Sequence, residues 1–212
     1  MTTAEQNFKN ANIYAHKGQY AKAIKELDKA IKKKKRFRRA LFNRAVFKTN
    51  IKDFNGAIED YKAITGFTNC TECFYEVAVI LNNEQRYEKA IEVLNSALKT
   101  KGIVKHSDIF KPNIQFLTND SDSDYNVNEE NIYFERGFSY LKSKKFEKAI
   151  NDFKKTNDFD FYKNEGYYYI GEAFLGLKDY SNACINFNKS AKLGLEKAEE
   201  MLEKHCVKKR NK

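Results

Sequence analysis

The sequence predicts an all-α array of antiparallel helix pairs, on three observations. One motif recurs five times along the 212 residues, its aromatic residues spaced 34, 33, 59 and 34 apart. Apolar residues within each copy return at the intervals of an amphipathic helix. The whole chain holds one proline and nine glycines, so it has few helix breakers and does not read as a loop-rich β fold.

The second helix of each copy is carried by KGQYAKAIKELDKAI from Lys17, IKDFNGAIEDYKAI from Ile51, NEQRYEKAIEVLNSAL from Asn83, SKKFEKAINDFKKT from Ser143 and LKDYSNACINFNKS from Leu177. The aromatics are Tyr20, Phe54, Tyr87, Phe146 and Tyr180. Three positions on stand Ala23, Ala57, Ala90, Ala149 and Ala183, and an apolar residue follows four positions after each. The first helix of each copy is marked by a small residue nine positions before the aromatic: Ala11, Ala45, Ala78, Gly137 and Gly171. A small residue there lets the second helix cross closely, the alanine makes the same contact from the other side, and the aromatic fills the gap to the next copy.

This register gives three helix pairs over 1–104 (about 4–37, 38–70 and 71–104) and two over 130–193 (about 130–163 and 164–193). Between them, 105–129 breaks the period and holds Pro112 and the acidic run TNDSDSDYNVNEEN. It reads as a loop, with a short helix around DIFKPNIQFL. After the fifth pair, GLEKAEEMLEKH within 194–206 reads as a capping helix with Leu195, Ala198, Met201 and Leu202 on one face, followed by a basic tail over 207–212.

The small residue, aromatic and alanine at a 34-residue period resemble the tetratricopeptide repeat. The resemblance covers about four-fifths of the chain. The unit-closing proline is absent throughout, and Asn7 and Asn10 stand where bulky apolar residues are usual, which suits an end unit. The RNA-binding pentatricopeptide array matches the spacing less well. The resemblance implies a right-handed superhelical solenoid, without catalysis or cofactor, that cradles a partner's peptide or helix in a concave groove lined by the first helices.

On that register, Phe8, Phe42, Tyr75, Phe134 and Tyr168 either form an aromatic ladder along the groove or contribute to the core. Lys9, Asn12, Asn43, Glu76, Glu135, Tyr169 and Glu172 are further groove candidates. One subclass of the family grips C-terminal carboxylates with two asparagines and three basic residues. Asn12 and Asn43 match the asparagines, but the basic positions fall on Phe8, Glu72 and Glu76, so that activity is not implied. The charge of units three to five favours a basic or apolar protein or peptide partner.

The formal net charge of +10 is concentrated in two runs. Lys32, Lys33, Lys34, Lys35, Arg36, Arg38 and Arg39 form one, and Lys208, Lys209, Arg210 and Lys212 the other; the remainder is close to neutral. The first run falls at a joint between repeats, where Ile31–Lys33 end a helix, Lys34–Arg38 turn, and Phe37 tucks between units. Nucleic acid or another anionic surface bound through 32–39 and 208–212 is the alternative function.

Cys70, Cys73, Cys184 and Cys206 are too few and too irregular for a secreted disulfide framework. The CTEC spacing suits a metal or redox pair, but no second ligand pair matches it and no strand precedes it. Its cysteines read as one turn residue and one packing residue in a reducing compartment. Asp120, Asp122 and Asp124 begin like a calcium loop, but Tyr125 and Asn131 replace the glycine and glutamate such a loop needs. Neither an apolar leader in MTTAEQNFKNANIYAHKGQY nor a long apolar run is seen, so a cytoplasmic, non-membrane protein is expected.

Overall fold

The computed structural model describes residues 2–100, 103–104, 127–157 and 163–206. Among these, the chain forms eleven helices and one two-residue strand pair. It divides into two compact units, one of Met1–Glu84 with Asn95–Asn128 and one of Gln85–Leu94 with Glu129–Lys212. The all-α class and the repeated helix pairs are those expected from the sequence.

The first unit contains α1 (Ala4–His16), α2 (Tyr20–Lys33), α3 (Arg38–Asn50), α4 (Phe54–Thr65) and α5 (Thr71–Asn83), with the last residues of α6 (Tyr87–Ala97). Side chains cap several helix starts: Thr3 accepts from the Gln6 N–H, and Asp53 from the Gly56 N–H. The α1–α2 turn closes when the Gln19 N–H donates to the Tyr14 carbonyl across Gly18 at φ +69°. Phe8, Ala11, Ala23, Leu27, Phe37 and Phe47 form the core. Tyr20 reaches Phe47 of the next pair with ring centroids 5.6 Å apart, the gap-filling role its spacing predicts. Asn7 departs from the end-unit reading: it is buried, donates to Glu26 Oε2 at 2.8 Å and accepts from Lys33 Nζ at 3.0 Å. A polar residue at this place ties α1 to α2 rather than facing solvent.

Two strands also belong to this unit. β1 (Ile103–Val104) and β2 (Val127–Asn128) pair in parallel, Ile103 opposite Val127. The period-breaking segment thus leaves and returns at one place, a pairing the loop assignment did not include. The rest of that segment, 105–126, with its expected short helix and its aspartates, lies outside the described residues, as does the basic tail.

The second unit contains the start of α6, then α7 (Glu129–Lys142), α8 (Phe146–Thr156), α9 (Lys163–Gly176), α10 (Tyr180–Lys192) and α11 (Glu196–His205). The rings opposite press on both crossing glycines, tightly at Gly137 and beyond what a Cβ allows at Gly171. A Cβ on Gly137 would stand 3.0 Å from the Phe153 ring, and one on Gly171 would stand 2.6 Å from the Phe187 ring. Tyr87 meets Phe138 at 6.4 Å, and the Phe146 ring lies where a Cβ on Gly176 would be. Tyr180, which has no full pair after it, is 56% exposed. α11 covers the end of the array with Ala198 buried and most of its polar residues exposed.

The reduced-cysteine expectation is corrected by the structure. Cys70 pairs with Cys73 at the start of α5, and Cys184 of α10 pairs with Cys206 after α11. In CTEC the helix start itself brings the two sulfurs together, since the Cys70 side chain also caps the Cys73 N–H. Cys184 and Cys206 meet because α11 folds back along α10, with Cα atoms 5.6 Å apart.

Candidate functional site

The first helices of the second unit carry a candidate site. α7, α9, the Gly194–Leu195 turn and the start of α11 enclose an open cavity of about 660 Å³. Phe138 and Lys142 enter from α7, and Glu165, Tyr168, Tyr169 and Glu172 from α9. Residues three and four apart share a helix face, so Glu165, Tyr168, Tyr169 and Glu172 are presented together by one side of α9.

The rings are fixed by packing beneath them. Tyr169 stacks on Phe153 of α8 at 5.3 Å and meets Phe138 edge-on at 5.8 Å. Tyr168 rests on Phe187 of α10 at 5.8 Å, and its hydroxyl donates to Glu172 Oε1 at 3.4 Å. Burial, with the charge of Glu172, pushes the Tyr168 hydroxyl up to about 12. Burial also raises Tyr169, helped by Glu172, Glu165 and Glu135. Lys142 places its ammonium 5.2 Å over the Phe138 ring.

The five candidate ladder aromatics do not have one environment. Phe42, Phe134 and Tyr168 each touch a core aromatic of their own pair's second helix, namely Tyr61, Phe153 and Phe187. Phe8 packs on Phe37 at 5.3 Å. Phe8 and Phe42 are buried, whereas Tyr75, Phe134 and Tyr168 are half-buried. Asn12 and Asn43 are buried too, and Asn43 Nδ2 donates to Asn12 Oδ1 at 3.1 Å. In the first unit, therefore, Phe8, Asn12, Phe42 and Asn43 belong to the interior rather than to an open surface. Amide-to-amide pairing lets two polar side chains share that interior. Glu76 and Glu135 are half-buried, and Lys9 is exposed.

The basic run is a joint with its own partners. Phe37 is buried and starts α3. Lys34 lies 3.6 Å from Glu5 and 4.5 Å from the Phe37 ring centre, and Arg39 pairs with Glu5 at 3.5 Å while lying over Phe8. Arg38 faces Glu72 at 3.9 Å, and Lys33 donates to the Thr2 carbonyl and to Asn7. Lys32, Lys35 and Arg36 are exposed.

Sequence reasoning missed Phe138, Lys142 and Glu165. Two of them follow from the register already in hand, since Phe138 lies one turn beyond Phe134 and Glu165 one turn before Tyr169. It also missed two equivalent links between paired helices. Arg44 grips Asp60, with Nε 2.8 Å from Oδ2, and Arg136 grips Asp152 through two bonds of 2.7 and 2.8 Å. Each arginine immediately precedes a small crossing residue, and each aspartate immediately precedes the core aromatic opposite.

Among the described residues, no cluster of three histidine, cysteine or carboxylate side chains could hold a metal ion, and no helix is long and apolar enough to cross a membrane. A profile of the tetratricopeptide repeat matches residues 8–33, 71–102 and 130–156. No match was found among curated proteins. The crystal structure of MamA protein aligns with a TM-score of 0.72 at 19% identity, covering 97% of this chain and 96% of that one. MamA 41-end from Desulfovibrio magneticus RS-1 aligns at 0.69 and 17% identity, over 90% and 94%. YrrB, described as a TPR protein with an unusual peptide-binding site, aligns at 0.72 and 14% identity, over 95% and 92%. At these identities the likeness concerns the fold.

Proposed function

The chain is a tetratricopeptide-repeat protein, and on that premise we propose that it is a non-catalytic adaptor or scaffold that binds a peptide or helix of a partner protein. The observation that carries this is the cavity on α7 and α9, where half-buried rings and carboxylates stand on a fixed core. Such a surface offers apolar area to a ligand at little ordering cost, because Phe153 and Phe187 already hold the rings. The peptide-binding site described for YrrB, a protein of the same fold, supports a peptide as the ligand class. The groove candidates of this reading, for a basic or apolar partner, are Phe134, Glu135, Tyr168, Tyr169 and Glu172 in the second unit and, separately, Tyr75 and Glu76 in the first. Affinity capture on the full chain and on Tyr168→Ala, compared by quantitative mass spectrometry, tests it. The groove reading expects a defined set of proteins to be depleted from the variant, and identical sets would refute it.

Binding of nucleic acid through 32–39 and 208–212 is the second reading, favoured by the exposure of Lys32, Lys35 and Arg36. Against it, Lys33, Lys34, Arg38 and Arg39 are engaged within the protein. A salt-dependent gel shift lost on neutralising the three exposed cations would favour it. The two disulfides weigh against the cytoplasmic location expected from the sequence. Thiol trapping from intact cells decides it: four labelled cysteines would mark a reducing compartment, and none an oxidising one that keeps both bridges.

A further inference from the structure

We propose that the cavity of the second unit seats one cationic side chain, arginine or lysine, of the bound peptide; this rests on the groove reading above. Its floor is aromatic, with Tyr169 meeting Phe138 at 5.8 Å and Tyr168 at 5.4 Å. Its walls are acidic: Glu165 and Glu172 are half-buried on α9, and Glu196 opens α11. Ring faces attract a cation and accept its aliphatic stem, while carboxylates take its N–H donors.

One carboxylate sharpens the demand. Glu165 lines the cavity, and its Oε2 is closed to solvent with no hydrogen-bond partner among the described residues. A half-buried carboxylate with one oxygen unpaired keeps its negative charge poorly compensated, and a guanidinium or ammonium in the cavity meets it with the matching charge. An acidic side chain would face this carboxylate with like charge, and a purely apolar one would leave that charge unmatched. The cavity also has its own example of the contact, the Lys142 ammonium over Phe138. Lys142 and Lys197 are both exposed, so water and salt screen them more than the carboxylates set deeper in the wall. Burial raises the Tyr169 hydroxyl, and the charges of Glu172, Glu165 and Glu135 raise it further.

Selection of a random decapeptide library on the immobilised full chain tests the proposal. Enriched peptides are expected to share arginine or lysine at one position. Replacing that residue by norleucine, or replacing Glu165→Gln in the protein, should weaken binding at least about tenfold, in line with a lost charge-assisted contact over aromatic rings. Glu172→Gln serves as the second variant, and circular dichroism verifies that both retain their helices. Enriched peptides with no basic position, whose binding Tyr168→Ala still abolishes, would overturn the cationic pocket and leave the groove reading intact. Basic peptides indifferent to Glu165→Gln, Glu172→Gln and Tyr168→Ala would overturn both, as would a library that yields no enrichment.

Discussion

Lys144 stands at φ +60°, in the left-handed region, two positions before Phe146. The equivalent residues Lys52, Gln85 and Lys178 share that conformation, and of the turns within helix pairs only the first meets it with glycine, Gly18. A lysine there bears the crowding of its Cβ, so Lys144→Gly should stabilise the protein by about 0.5–1 kcal/mol after the entropy glycine adds to the unfolded chain. Urea denaturation measures this, and a loss of stability would contradict the assignment. Tyr168 gives a second test at this scale. Its hydroxyl sits above its ordinary value of 10.0, at about 12, so the fold favours the neutral form. That contribution is complete below pH 10 and is lost as pH rises towards 12. An ultraviolet titration should show late phenolates, Tyr133 among them, of which Tyr168→Phe removes one. Single residues were legible where one residue type has one job, as with the small crossing residues. The Arg136–Asp152 grip was not, because arginine and aspartate on helices read equally well as solvated surface.

Helix pairing was the most legible level. Each second helix states its contact face through the aromatic, the alanine and the core residue, and its partner lies one short turn away. The two crossing glycines should therefore respond differently to the same change. Gly171→Ala forces a Cβ to 2.6 Å from the buried Phe187 ring and should cost about 1–3 kcal/mol of packing strain. Gly137→Ala needs only a small shift at 3.0 Å, and its gain of up to about 1 kcal/mol in helix propensity should leave it near neutral. Thermal unfolding of the two variants compares them directly. The capping helix α11 was legible as an amphipathic segment, but its tether was not. Spacing alone does not say which cysteines meet, and Cys184 and Cys206 are 22 residues apart. Removing this bridge with Cys184→Ser should cost about 3 kcal/mol under oxidising conditions, from the entropy of the opened loop, and nothing once the wild type is reduced.

At the scale of the whole molecule, the repeat count and fold class follow from local pattern, while the site depends on how neighbouring pairs stack. The sequence placed one aromatic at the same position in every unit, readable either as a ladder along the groove or as core. Burial divides that ladder, since Phe8 and Phe42 are interior whereas Phe134 and Tyr168 are half-buried beside the cavity. No residue-by-residue reading separates these cases, because exposure is set by the helices that follow. The strongly basic turn was readable from its register as a joint between repeats, and there Phe37 is buried and Lys34 and Arg39 lie beside Glu5. Hydrogen exchange of the full chain, with and without a partner recovered by affinity capture, tests the central claim most directly. The account predicts new protection along α7, α9 and the first turn of α11; protection confined to the Lys32–Arg39 turn, with α9 unchanged, would contradict it.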